Sequence, residues 1–167
     1  QDKYFLYTSK NDISNHLSFL KRKPNIFICK PTSLINKICT KYWRGSNIVH
    51  DILTNKIDLY HGLSNELPIG IEKTNTKTVV TIHDLIFMRY PKLFNIFDRI
   101  IYYKKFKSAC IRANKIIAIS QQTKNDIIKF FKIPEQKIQV VYQGCNSNFK
   151  DNITAKRKQE VIQQYNL

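Results

Sequence analysis

The chain is poor in glycine and proline, with four and five among 167 residues. That excludes a collagen-like repeat and a Pro/Gly-rich disordered chain. Acidic residues are also few: 12 Asp and Glu stand against 28 Lys and Arg, a formal charge of +16. No apolar run approaches the ~20 residues a membrane-spanning helix needs, because lysines interrupt each one. The opening Gln1-Asp2-Lys3-Tyr4 has neither the basic segment nor the apolar stretch of a secretory signal. Cys29, Cys39, Cys110 and Cys145 form no C-x-x-C pair, so zinc and dithiol chemistry have no motif, and the thiols read as the reduced thiols of a cytoplasmic protein. HExxH, GxSxG, Walker and dinucleotide-type glycine patterns are missing as well. No metal site is expected.

What is present is ample core material, 43% hydrophobic and 12% aromatic residues, enough for one globular domain. The positive charge should draw the chain to polyanions: nucleic acid, an anionic lipid surface or phosphorylated substrates. Its lysines are dispersed, however. The densest cluster, Lys156-Arg157-Lys158, is short, and no dense basic stripe is interleaved with aromatics, so specific nucleic-acid binding is not expected. A lysine-rich solvated surface is the plainer account of the charge.

Six apolar, β-branched segments bounded by polar residues or proline read as strands: Tyr4 to Thr8, Ile26 to Cys29, Ile57 to Tyr60, Thr78 to Ile82, Lys115 to Ile119 and Ile138 to Tyr142. Helical periods lie between them. One follows Asn11-Asp12 through Ile13, Leu17 and Leu20; another carries Leu34, Ile38 and Tyr42, breaks at Gly45 and resumes with Ile48 and Ile52. The clearest runs through Ile96, Ile100, Tyr103, Phe106, Cys110 and Ala113, with Pro91 and Asp98 at its start. A last one, capped by Ser120, buries Ile127, Ile128 and Phe131 and ends at Pro134. Strands apolar on both faces that alternate with helices predict an α/β fold: a Rossmann-like parallel sheet with helices on both faces.

Ligands of such sheets bind at the carboxyl ends of the strands, where loops and helix N-termini face one crevice. There the sequence places His61-Gly62-Leu63-Ser64-Asn65-Glu66-Leu67-Pro68, then His83-Asp84, then Ser120, then Gln143-Gly144-Cys145-Asn146. A strand-end histidine can donate, accept or carry a proton, and glycine permits close approach of a ligand to the backbone. Each position also has a plainer reading: His61 a satisfied loop histidine, Asp84 a cap on the following turn, Ser120 a helix cap, Gly144 a turn glycine, and Glu66 a solvated loop carboxylate rather than a general base. A Ser-His-Asp relay from Ser120, His83 and Asp84 is rejected, since adjacent His and Asp side chains diverge at a strand end.

The ordered series Asp58-Leu59-Tyr60-His61-Gly62, Leu67-Pro68, Val79 to Leu85, Ala113 to Ser120 and Lys137 to Gly144 resembles the N-terminal domain of family 4 glycosyltransferases of bacterial type, half of a GT-B fold. The resemblance runs from about Ile57 to Phe149; residues 1 to 47 share only the order of strands and helices. It implies a retaining transfer of a hexose from a nucleotide-sugar donor to a glycan or lipid-linked acceptor, in a cleft between two Rossmann-like domains. The family histidine matched by His83 lies in the cleft near the donor sugar, so the resemblance makes His83 the catalytic candidate and Asp84 its helper. His61, Gly62, Ser64, Asn65 and Glu66 would border the acceptor, with Ser120, Lys124 and Gly144 as weaker substrate-binding candidates.

Residues 1–149 are thereby expected to form the acceptor-side domain, without the family's first strand and glycine-containing turn. Residues 150–167 are expected to lead toward a C-terminal nucleotide-sugar-binding domain. Where the family commonly has Asn-Gly-Val-Asp, this chain has Gln143-Gly144-Cys145-Asn146, without the carboxylate. No cofactor is expected within the chain, and it should be inactive alone. A cytoplasmic enzyme, peripheral on the inner face of the membrane, accounts for the charge. The alternatives are a non-catalytic basic domain binding anionic membrane or nucleic acid, and half of a GT-B sugar-nucleotide epimerase.

Overall fold

A computed structural model describes residues 2–8, 23–145 and 153–166. Its six strands are β1 (Tyr4–Tyr7), β2 (Ile26–Cys29), β3 (Leu59–Gly62), β4 (Lys77–Ile82), β5 (Lys115–Ala118) and β6 (Ile138–Val140). All the pairings are parallel. The connections between successive strands in the larger sheet carry helical segments, as parallel crossovers require. The expected helix around Ile13, Leu17 and Leu20, the residue Asn146 and the boundary at 149 to 150 fall outside the described residues.

Among the described residues the strands form two sheets rather than one: β1 pairs with β2, and the larger sheet has the order β3-β4-β5-β6. No ladder among the described residues joins β1 to β3. Side chains tie β1 to the residues that lead into β3 instead. Asn55 Nδ2 donates to Tyr7 Oη at 3.0 Å, and the Tyr7 ring lies 6.5 Å from that of Trp43. Trp43 is fully buried and donates its indole N–H to Asp51 at 2.7 Å.

β4 and β5 form the middle of the larger sheet, and Val80, Ile82, Ile116 and Ala118 are fully buried. They join one cluster with Trp43, Ile48, Ile52, Ile71, Leu85 and Ile127. Each large side chain so buried contributes about 1.5–3 kcal/mol relative to exposure.

The helices are α1 (Leu34–Ile38), α2 (Thr40–Tyr42), α3 (Ile48–Thr54), α4 (Ile86–Arg89), α5 (Ile96–Arg112), α6 (Gln121–Asp126) and α7 (Ala155–Tyr165). The Gly45 break and the start of α5 depart from expectation. Gly45 does not break its helix: it lies inside a π-helical segment, Trp43–Asn47, that joins α2 to α3. Leu34, Ile38 and Tyr42 are 73%, 74% and 55% exposed, because the short α1 and α2 do not bury that stripe. The cap of α5 is Asn95, whose side chain accepts from Phe97 N–H, while Pro91 heads a separate turn, Pro91–Leu93.

α6 begins as expected at Ser120 and continues as a π-helical segment, Ile127–Phe131, closed by Lys132 in the left-handed conformation before Pro134. α7, in the expected connector, is capped by Thr154 and buries no residue.

Candidate functional site

The strand ends do not all behave as loops. His61 and Gly62 belong to β3, paired with Val79 and Val80, so the expected loop begins at Leu63. The loop then folds back over the strand it leaves. A Cβ on Gly62 would stand 2.1 Å from the Glu66 carbonyl oxygen and 3.1 Å from Leu67 Cδ2. Only glycine lets the loop close this far. Gly144 is different: a Cβ there meets nothing within 4 Å, so no packing against the described residues requires glycine.

Asn65 pins the folded loop to β4. Its backbone has φ 58°, in the left-handed region that asparagine tolerates better than most residues. Its N–H donates to the Thr81 carbonyl at 3.0 Å, and its side-chain oxygen accepts from His83 N–H at 2.9 Å.

His83 is held at two further points. Nε2 lies 2.9 Å from the Leu63 carbonyl oxygen. A carbonyl only accepts, so the proton of the neutral ring sits on Nε2 and Nδ1 keeps its lone pair. On the other side, Thr123 Oγ1 donates to the His83 carbonyl at 3.0 Å. Thr123 is 4% exposed and sits in the first turn of α6, where its N–H donates to Ser120 Oγ at 3.0 Å. With the Thr123 hydrogen committed to His83, the 3.0 Å contact between the two hydroxyls is donated by Ser120. Ser120 is therefore a helix cap that also reaches His83 through Thr123. Asp84 accepts from Ile86 N–H at 3.1 Å, closing the turn into α4.

Glu66 is gripped by cations from two elements distant in sequence, Arg44 in the π-helical segment and Lys105 in α5. Burial works to raise its carboxyl pKa, but the hydrogen bonds and charges of Lys105 and Arg44 outweigh it and hold the group below its ordinary value. A carboxylate so held is a weak base near neutral pH. Lys124 turns to Glu135, at 2.8 Å, in the turn before β6, and so is not brought to His83.

A concavity of about 320 Å³ opens between the C-terminal ends of β1 and β3, lined by Tyr7, Thr8, Arg44, Ile48, Tyr60, His61, Gly62, Leu63, Ser64 and Glu66. It gathers His61, Gly62, Ser64 and Glu66 of the expected residues. His83, Asn65, Asp84, Ser120, Lys124 and Gly144 do not line it, although His83 bonds the carbonyl of Leu63, which does. His61 Nε2 bonds Thr81 Oγ1 at 2.8 Å, and partial burial lowers its pKa. The Tyr60 phenol is pushed up to about 12, by burial first and the Glu66 charge second.

Sequence reasoning missed Tyr7, Thr8, Arg44, Tyr60, Lys105 and Thr123. Arg44 and Lys105 carried no local signal, while Thr123 was legible as the partner of a capping serine three residues earlier. Among the described residues, no group of three or more His, Cys, Asp or Glu side chains could hold a metal ion.

The crystal structure of a glycosyltransferase from Rickettsia africae ESF-5 is similar in fold, with a TM-score of 0.54 at 19% sequence identity. The match covers 98% of this chain and 41% of that one. No curated protein matches the sequence. Residues 12–149, which include the β3–β4 loop, His83 and the cap of α6, match the profile of Glycosyltransferase Family 4, and the chain belongs to that family.

Proposed function

We propose that this chain supplies the acceptor-side wall of a retaining glycosyltransferase, which moves a hexose from a nucleotide-sugar donor to a glycan or lipid-linked acceptor in polysaccharide biosynthesis. The observation that carries this reading is His83, fixed through its backbone N–H, its carbonyl and its ring at the carboxyl edge of a parallel sheet. Such an edge is where α/β proteins bind ligands. With Nε2–H spent on Leu63, Nδ1 is an acceptor for a sugar hydroxyl at the reacting centre.

The concavity beside it offers the acceptor hydrogen-bonding groups from His61 and Ser64. In the transfer, the bond from the sugar C1 to the donor diphosphate breaks and one to an acceptor oxygen forms, the acceptor's proton passing to the leaving diphosphate. The leaving diphosphate needs cationic or N–H partners. A second domain is proposed to supply them and to bind the nucleotide, with residues 1–149 as the acceptor-side domain and residues 150–167, which contain α7, leading toward it. Asp84, Ser120, Lys124 and Gly144 act in this reading as supports of the crevice rather than as groups that touch the sugar. The enzyme works in the cytoplasm, against the inner face of the membrane.

The test is incubation of the full-length protein with labelled nucleotide-hexoses and candidate acceptors, with the anomeric configuration of the product determined. A glycoside with the donor's configuration supports the reading. A free epimerised sugar nucleotide would assign the protein to an epimerase instead, and neither product would overturn both.

A further inference from the structure

A helix on the surface of a globular protein ordinarily turns its polar residues outward. The first half of α5 does the opposite. At about 100° per residue, Ile96, Phe97, Ile100 and Ile101 fall on the side away from Tyr102 and Phe106, whose rings pack on Phe87 at 5.8 and 5.4 Å. Those four outward residues are 62%, 72%, 47% and 57% exposed, and Leu93, in the turn before the helix, is 75% exposed. A contiguous apolar face of this kind marks an interaction surface.

The charge around it is predominantly positive. From Arg89 to Lys107 the sequence carries Arg89, Lys92, Arg99, Lys104, Lys105 and Lys107 against the single acid Asp98. Arg89 and Lys105 are engaged by Asp126 and Glu66, while Lys92 and Lys104 are exposed. Lys104 follows Ile100 by one helical turn, on the same side of α5. A second copy of a chain with a charge of +16 would bring like charge to like charge on this face. An anionic surface would not.

We propose that the face from Leu93 to Ile101 docks on an anionic lipid bilayer, with the apolar side chains entering the boundary between headgroups and acyl chains and Lys92 and Lys104 meeting lipid phosphates. α5 starts after β4 has ended at Ile82 and runs back to the start of β5. Its apolar end therefore lies at the sheet edge that carries His83. Docking itself needs no catalysis. Its consequence, presentation of a lipid-linked acceptor to that edge, rests on the function proposed above.

Flotation of the full-length protein with vesicles of pure phosphatidylcholine, and with vesicles in which about a third of the lipid is phosphatidylglycerol, tests this. The expected result is binding to the anionic vesicles that weakens with salt. It should fall at least about tenfold in the Phe97→Ser/Ile101→Ser and Lys92→Glu/Lys104→Glu variants, with unfolding temperature and transfer to a soluble acceptor unchanged. Protein that docks but transfers no sugar would leave the docking standing and remove the proposed activity. Three results would overturn the docking: no binding to either vesicle, variants that float like the wild type, or variants that lose a dimer or their unfolding temperature instead. In the last case a second copy or another part of the chain covers the face.

Discussion

The carbonyl oxygen of Glu66 occupies the space that a side chain on Gly62 would need, 2.1 Å from the position of its Cβ. The loop from Leu63 to Leu67 can thus lie over the end of β3 and hand the Leu63 carbonyl to His83. The catalytic candidate is positioned by a glycine it does not touch.

Replacing Gly62 by alanine should accordingly force the loop outward and cost about 1–3 kcal/mol, the usual penalty of overpacking. Gly144→Ala, where a Cβ meets nothing, should change stability by less than about 0.5 kcal/mol. Urea unfolding of the two variants checks the contrast, and equal costs would contradict it.

Asn65 combines a left-handed backbone with a hydrogen bond to His83 N–H. Asn65→Ala loses both, which should cost about 2–3 kcal/mol, whereas Asn65→Gly keeps the conformation and should cost about 1 kcal/mol for the lost bond. If glycine is as damaging as alanine in the same unfolding assay, the backbone conformation is not part of the effect.

Acid should act on the site in two steps. Burial lowers the folded-state pKa of His61 below 6.5, so the unfolded chain takes up that proton first. The stabilisation is complete above about pH 6.5 and declines as pH falls from there to the lowered folded value. Glu66 titrates lower. Its folded pKa lies below 4.5 despite burial, because of Lys105 and Arg44, so its contribution is present above about pH 4.5 and is lost as pH falls through the folded value. The unfolding midpoint of His61→Gln should therefore vary less with pH just below 6.5, and that of Glu66→Gln less below 4.5. Variants that track the wild-type profile would disprove either assignment.

Burial pushes the Cys110 thiol up to about 12, and the side chain is fully buried. Cys39 is exposed. A thiol reagent at neutral pH should label Cys39 in the native protein and Cys110 only on unfolding. Peptide mapping of the labelled protein reads this directly, and equal rates would show that the region around α5 opens.

The strand positions and the serine cap of α6 were legible in the sequence because they depend on neighbours within a few residues, whereas the Asn95 cap of α5 was not. Ile26 to Cys29 became β2 with its expected ends, and Ser120 capped α6. The three-residue reach of a serine cap also made the contact with Thr123 readable. Leu34 and Ile38 follow a helical period yet stay exposed, since helical periodicity states which residues share a side and not whether anything covers it. Glu66 shows the same limit in the site. Nothing near it in sequence announces Arg44, 22 positions before it, or Lys105 in α5. The closure over Gly62 depends on the path of the whole loop, which composition does not specify.

The role of His83 is tested by the turnover of full-length His83→Ala with a nucleotide-hexose and acceptor at saturating concentrations. A role of the His83 ring in the transfer means that kcat falls at least tenfold, a loss of about 1.4 kcal/mol in transition-state stabilisation, in a variant that remains folded at the assay temperature. Wild-type turnover in a folded His83→Ala enzyme would contradict it.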